Sequence, residues 1–75
     1  MITYELWDLD LGNRVGEFDS EAEAVAALRA IWAENGDGFV RSLSILRIDA
    51  DEAPMLVLDG SDFLASATSR ISPVA

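Results

Sequence analysis

The feature that most constrains the fold is a helix whose two ends are marked in the sequence. Ser20 and Glu23 form a capping box, in which the serine hydroxyl accepts from the amide of residue 23 and the glutamate reaches back to the amide of residue 20. Gly36 is a typical C-terminal glycine. We therefore predict a helix that runs from this cap to about Asn35 and turns one apolar stripe toward the core. The stripe consists of Ala24, Val25, Leu28, Ile31 and Trp32.

Two pairs of strand-like segments flank this helix, one pair on each side. Residues 2–9 and 14–18 are rich in β-branched and aromatic side chains, and a turn that contains Gly12 separates them. Residues 43–48 and 55–58 repeat the pattern after the helix. We expect each pair to form an antiparallel hairpin.

A second, shorter helix is predicted near the end of the chain. Gly60 or Ser61 caps about two turns, from which Phe63 faces inward. The fold class is therefore α+β with the order β-β-α-β-β-α, in which a four-stranded antiparallel sheet packs on one long helix. We expect residues 1–68 to form a single domain and residues 69–75 to form a flexible tail that contains a proline.

The predicted order contains a ββα unit twice. A shift along the chain places Asp8 on Asp49 and Ser20 on Ser61. A duplication explains these matches, and so do two hairpins that obey the same turn and capping rules. We favour the second explanation.

Composition excludes several functions. The chain of 75 residues has fourteen acidic residues against five arginines, without lysine, for a net charge of −9. Because the arginines are scattered, we expect no binding to nucleic acid or to anionic membranes. A basic partner is attracted instead, although solubility alone also explains such a charge. Cysteine and histidine are absent, so disulfides, thiolate chemistry and Cys or His zinc sites are excluded, and a serine nucleophile lacks a base. We predict neither an enzyme nor a cofactor.

Two acidic segments are candidates for a metal site. Asp8–Asn13 opens like a calcium loop, but Gly12 and Asn13 occupy positions five and six, where the loop needs an oxygen ligand and a glycine. Asp49, Asp51 and Glu52 form a second acidic cluster in the other hairpin loop. We interpret both segments as solvated hairpin turns and predict no metal site.

The predicted sheet is apolar on both faces. Ile2, Tyr4 and Leu6 share the side that the long helix covers, and Trp7 lies on the opposite side. Either the C-terminal helix with Phe63 covers this second face or another chain does. We predict an interface there that consists of Trp7, Leu46, Ile48, Leu56 and Leu58.

These features favour a domain that acts by protein–protein contact, first of all with itself as a homodimer. The alternative is an acidic antitoxin-like or inhibitor protein that binds a basic partner. A weak metal-binding or small-ligand module is the third hypothesis. A cytoplasmic location is expected, because the sequence starts without a basic and apolar leader and has no apolar run of about 20 residues.

Several segments resemble known bacterial proteins. Tyr4-Glu5-Leu6-Trp7-Asp8, Gly12-Asn13, Gly16 and Asp19–Ala24 are similar to a family of short uncharacterised bacterial proteins. This resemblance covers roughly the first 30 residues and implies a bacterial origin and a stand-alone short chain, without catalytic or binding residues. The segment Phe18–Ala24 also resembles the strand-to-helix step of HicB-type antitoxins, but the glycine-rich strand segment of that family is missing here.

Overall fold

The computed structural model describes residues 1–71. The elements are β1 (Ile2–Asp8), β2 (Asn13–Phe18), α1 (Glu21–Asn35), α2 (Asp37–Val40), β3 (Leu43–Asp49), β4 (Met55–Asp59) and α3 (Gly60–Ile71). The strands form one antiparallel sheet in the order β2-β1-β3-β4. The predicted α+β class and the order β-β-α-β-β-α are confirmed, with α2 as an additional single turn.

The long helix α1 begins and ends where its signals predict. The Ser20 hydroxyl accepts from the Glu23 amide at 3.2 Å, while the Glu23 carboxylate accepts from the amide of Asp19 at 3.2 Å rather than from residue 20. Gly36 has a φ of 81° and donates its amide to the Trp32 carbonyl at 2.9 Å. A positive φ is accessible to glycine without the strain that a Cβ causes, so this residue ends the helix.

Both hairpins turn on an aspartate at the end of a central strand. The Asp8 carboxylate accepts from the amides of Asp10 and Leu11 at 3.1 and 3.2 Å. The Asp49 carboxylate accepts from the amide of Asp51 at 3.0 Å. This is the side-chain mimic of a backbone turn that aspartate favours. It accounts for the match of Asp8 with Asp49 without a duplication.

The core lies between one side of the sheet and all three helices. Its buried residues are Leu6, Ala24, Leu28, Val40, Leu43, Ile45, Phe63 and Leu64. The Phe63 ring of α3 meets the Trp32 ring of α1 edge-on at 5.4 Å between centroids. The Arg29 guanidinium lies 5.7 Å from the centroid of the Phe63 ring. The C-terminal helix therefore packs beside α1 and does not cover the second face of the sheet.

The start of α3 differs from the prediction. Neither Gly60 nor Ser61 is the cap, because the Asp59 carboxylate accepts from the Asp62 amide at 2.8 Å. Gly60 is buried against α2, and a Cβ at this position would overlap the carbonyl oxygen of Val40. The helix also reaches Ile71, so residues 69–71 are helical rather than part of the predicted tail. The rest of that tail, residues 72–75, lies outside the described residues.

The single turn α2 lies between α1 and β3. The Trp32 indole N–H donates to the Asp37 carboxylate at 2.6 Å, which ties the turn to α1. Val40, at its end, is fully buried in the core. Four residues are too few to show a helical period in the sequence.

Candidate interaction surface

The side of the sheet away from the helices is the candidate functional surface, and we call it the open face. Residues paired across an antiparallel ladder point to the same side. Trp7 pairs with Arg14 and Ser44, and Leu46 pairs with Glu5 and Leu56. These and the remaining pairings place ten residues on the open face: Thr3, Glu5, Trp7, Arg14, Glu17, Ser44, Leu46, Ile48, Leu56 and Asp59.

The apolar part of the open face lies on β3 and β4. Leu46 and Leu56 stand opposite each other, and Ile48 stands two residues further along β3. Leu46 and Ile48 are half-buried by their neighbours within the sheet, and Leu56 is 55 % exposed. No element within residues 1–71 packs over these side chains, since the helices share the other side. Four of the five predicted interface residues, including Trp7, therefore lie together on one uncovered surface.

The prediction for Leu58 was wrong, because β4 contains a bulge. Ile45 pairs with Leu58 and Leu46 pairs with Leu56, so Val57 is an extra residue between the two pairs. An extra residue reverses the alternation of side chains along the strand beyond it. Both Val57 and Leu58 consequently pack against the core. The sequence predicts simple alternation and has no signal for this bulge.

A polar network occupies the β1–β2 half of the open face. The Trp7 indole N–H donates to the Glu5 carboxylate at 2.9 Å, and an Arg14 guanidinium nitrogen lies 3.2 Å from its other oxygen. The Glu5 side chain is only 13 % exposed although no helix covers it. Its charge is thus balanced within the sheet, which lowers the cost of removing water from this surface.

Glu5 and Arg14 are not among the predicted interface residues. Strand alternation already puts Glu5 on the same side as Trp7, so the signal for Glu5 was present. Arg14 reaches that side only because the ladder of β1 and β2 shifts its register between Leu6 and Trp7. A register shift of this kind cannot be read from the local sequence.

The acidic segments do not form a metal centre in the described part of the chain. The Asp8 and Asp49 carboxylates accept from turn amides, and within residues 1–71 no group of three acidic side chains is placed to hold a metal ion. The segment Asp8–Asn13 is the predicted hairpin turn, in which Gly12 donates its amide to the Asp8 carbonyl at 2.8 Å.

Comparisons with known proteins add no further assignment. No family model, no curated protein and no solved structure matches this chain. Among the described residues, none of the helices has the length and apolar character needed to cross a membrane.

Proposed function

We propose that this chain is a protein–protein interaction domain whose open face binds a second copy of itself. One observation carries the proposal: all three helices pack on one side of the sheet. Leu46, Ile48 and Leu56 are thereby left on a surface without a helix layer. Soluble domains normally cover such contiguous apolar surface, and a sheet of this kind is stabilised when a second layer packs on it.

The distribution of charge makes the open face the side on which a second copy can approach with the least repulsion. Two chains that each carry a net charge of −9 repel one another on most approaches. Glu5, Arg14 and Glu17 are the charged residues that β1 and β2 contribute to the open face, and both carboxylates lie within 4 Å of the Arg14 guanidinium. Most of the fourteen acidic residues lie elsewhere. The open face is therefore the side on which two copies meet the least repulsion.

The size of the open face indicates a reversible association. Four strands about 4.8 Å apart and five to seven residues long offer a surface of roughly 15 by 20 Å. A stable interface buries about 800 Å² of accessible surface on each partner. A sheet of these dimensions, roughly 300 Å² in projection, falls below that value. We expect a dimer whose population rises with protein concentration, with the two sheets stacked about 10 Å apart.

Leu56 and Met55 provide a matched test of this proposal. They are neighbours on β4 with similar exposure, 55 % and 52 %. Leu56 lies on the open face, whereas Met55 pairs with Arg47 on the side of Tyr4 and the helices. Sedimentation velocity over a wide concentration range should show a monomer–dimer equilibrium that Leu56→Glu abolishes and Met55→Glu leaves intact.

Two results would contradict the proposal. The wild-type chain could remain a monomer at the highest concentration, or both substitutions could weaken the dimer equally. Thermal unfolding of each variant checks that the monomer is intact. Ile48→Thr is a second, milder variant, because threonine keeps the β-branch and the strand propensity while removing apolar surface.

A further inference from the structure

We infer that a protein with an apolar surface flanked by basic residues binds the open face more tightly than a second copy does. The inference rests on the proposed function, since it concerns the same surface. It starts from the position of the two hairpin turns. β1 and β3 are adjacent and antiparallel, so the turns that follow them lie at opposite ends of the sheet.

Both ends of the sheet are acidic. Asp10 is exposed in the turn after β1, and Asp51 and Glu52 are exposed in the turn after β3. The arginines at each end lie beside carboxylates: at the first end, Arg14 lies 3.2 Å from Glu5 and 3.7 Å from Glu17. Arg41 is exposed near the first end, where Asp62 is also exposed, and Arg47 at the second end faces Asp49 at 3.9 Å.

A second copy meets like charge at these ends. When two sheets stack with their strands roughly aligned, the ends of one sheet lie over the ends of the other in either direction. Because both ends are acidic, each aligned arrangement of two copies brings carboxylates together. A partner with the same apolar centre and basic ends instead meets opposite charge at both ends. Charge complementarity therefore favours a basic partner over a second copy.

A charge-altered copy of this chain is a suitable probe, because it keeps the open face and changes only the ends. The end variant carries Asp10→Lys, Asp51→Lys and Glu52→Lys. The side chains of these residues are exposed, and the turn bonds of all three are made by their backbone amides.

A control variant carries the same change in net charge on the far side of α1. Its substitutions are Glu34→Lys, Ala22→Lys, Ala26→Lys, Ala30→Lys and Ala33→Lys, all at exposed positions. The control separates the effect of net charge from the effect of position. A neutral variant, with Asp10→Asn, Asp51→Asn and Glu52→Gln, keeps the test available if the lysine variant does not fold.

The experiment measures the dissociation constant between fluorescently labelled wild-type chain and each unlabelled variant. At about 20 mM NaCl we expect the end variant to bind the labelled wild-type chain about tenfold more tightly than unlabelled wild type does. The control variant should show a smaller gain in affinity. At about 0.5 M NaCl the difference should vanish, because the screening length falls to a few ångströms. The neutral variant should lie between the end variant and the wild type.

The outcomes distinguish the two proposals. Equal affinity of the end variant and the wild type, or equal gains for the end variant and the control, would overturn the inference and leave self-association standing. Survival of the complex when the labelled chain carries Leu56→Glu would also overturn it, since the partner would then bind elsewhere. If none of the pairs associates at any salt concentration, the proposed function itself is wrong.

Discussion

The two hairpins of the sheet share their turn chemistry but present different surfaces. β1–β2 and β3–β4 each turn on an aspartate at the end of the central strand, and each contains a register shift. On the open face, however, β2 carries Arg14 and Glu17, whereas β4 carries Leu56 and, at its end, Asp59, whose carboxylate caps α3. Charged side chains protect an edge strand from unwanted pairing. One half of the open face is therefore a satisfied polar network, and the other half is an apolar surface that no helix within residues 1–71 covers.

The two hairpins also differ in how they lead into their helices. Two residues, Asp19 and Ser20, connect β2 to α1, and Ser20 supplies the cap. No residue separates β4 from α3, so Asp59 ends the strand and caps the helix at the same time. This direct connection presses Gly60 against the Val40 carbonyl. The second unit is therefore less tolerant of substitution at its strand–helix junction than the first.

The substitution Gly60→Ala should have the largest effect on stability. An alanine Cβ would overlap the Val40 carbonyl oxygen, which belongs to backbone and cannot rotate away. Overpacking of this kind costs about 3 kcal/mol of unfolding free energy when the backbone must shift. Urea denaturation followed by circular dichroism measures the loss. Gly38→Ala in α2 is the control, because nothing lies within 4 Å of a Cβ there, and it should be neutral or slightly stabilising. Equal changes in unfolding free energy for Gly60→Ala and Gly38→Ala would refute the close approach of Gly60 to the Val40 carbonyl.

Local signals were sufficient to predict most of the fold. The cap at Ser20 and the glycine at position 36 gave both ends of α1, since capping depends on a few neighbouring residues. The hairpin turns were predictable for the same reason. The junction at Gly60 was not, because the sequence shows a glycine but not the carbonyl of Val40 that requires it. The constraint comes from a contact between elements that are distant in the chain.

The candidate surface was predictable in part for a related reason. Alternation along β1 and β3 correctly put Trp7, Leu46 and Ile48 on one side, because neither strand needs an extra residue to pair with the other. The same rule failed for Leu58 because the extra residue Val57 changes the parity of β4. Alternation along the strands also does not predict the side of the sheet on which α3 packs. That side depends on the contact between Phe63 of α3 and Trp32 of α1.

The next largest loss of stability is expected at one of the two turn aspartates, Asp8, and a smaller loss at the other, Asp49. Asp8 is buried and accepts from two amides, whereas Asp49 is less buried and its carboxylate accepts from one. Asp8→Ala leaves two turn amides without this acceptor and should lower the unfolding free energy by about 2 kcal/mol. Asp49→Ala should cost about 1 kcal/mol, because its 3.9 Å ion pair with Arg47 adds little. Equal losses, measured by urea denaturation, would mean that the turns are more alike than their hydrogen bonds indicate.

The smallest effect concerns the caps of the two helices. Ser20 accepts from an amide of α1, and Asp59 does so for α3, so Ser20→Ala and Asp59→Ala should each cost about 1 kcal/mol. Ser61 corresponds to Ser20 when the two ββα units are aligned, but it lies inside α3 and is exposed. Ser61→Ala should therefore leave stability unchanged within about 0.5 kcal/mol. If Ser61→Ala were as costly as Ser20→Ala while Asp59→Ala were harmless, the two units would share their capping rule. Ser61 would then be the cap of α3, as the sequence predicts, and the assignment of that cap to Asp59 would be wrong.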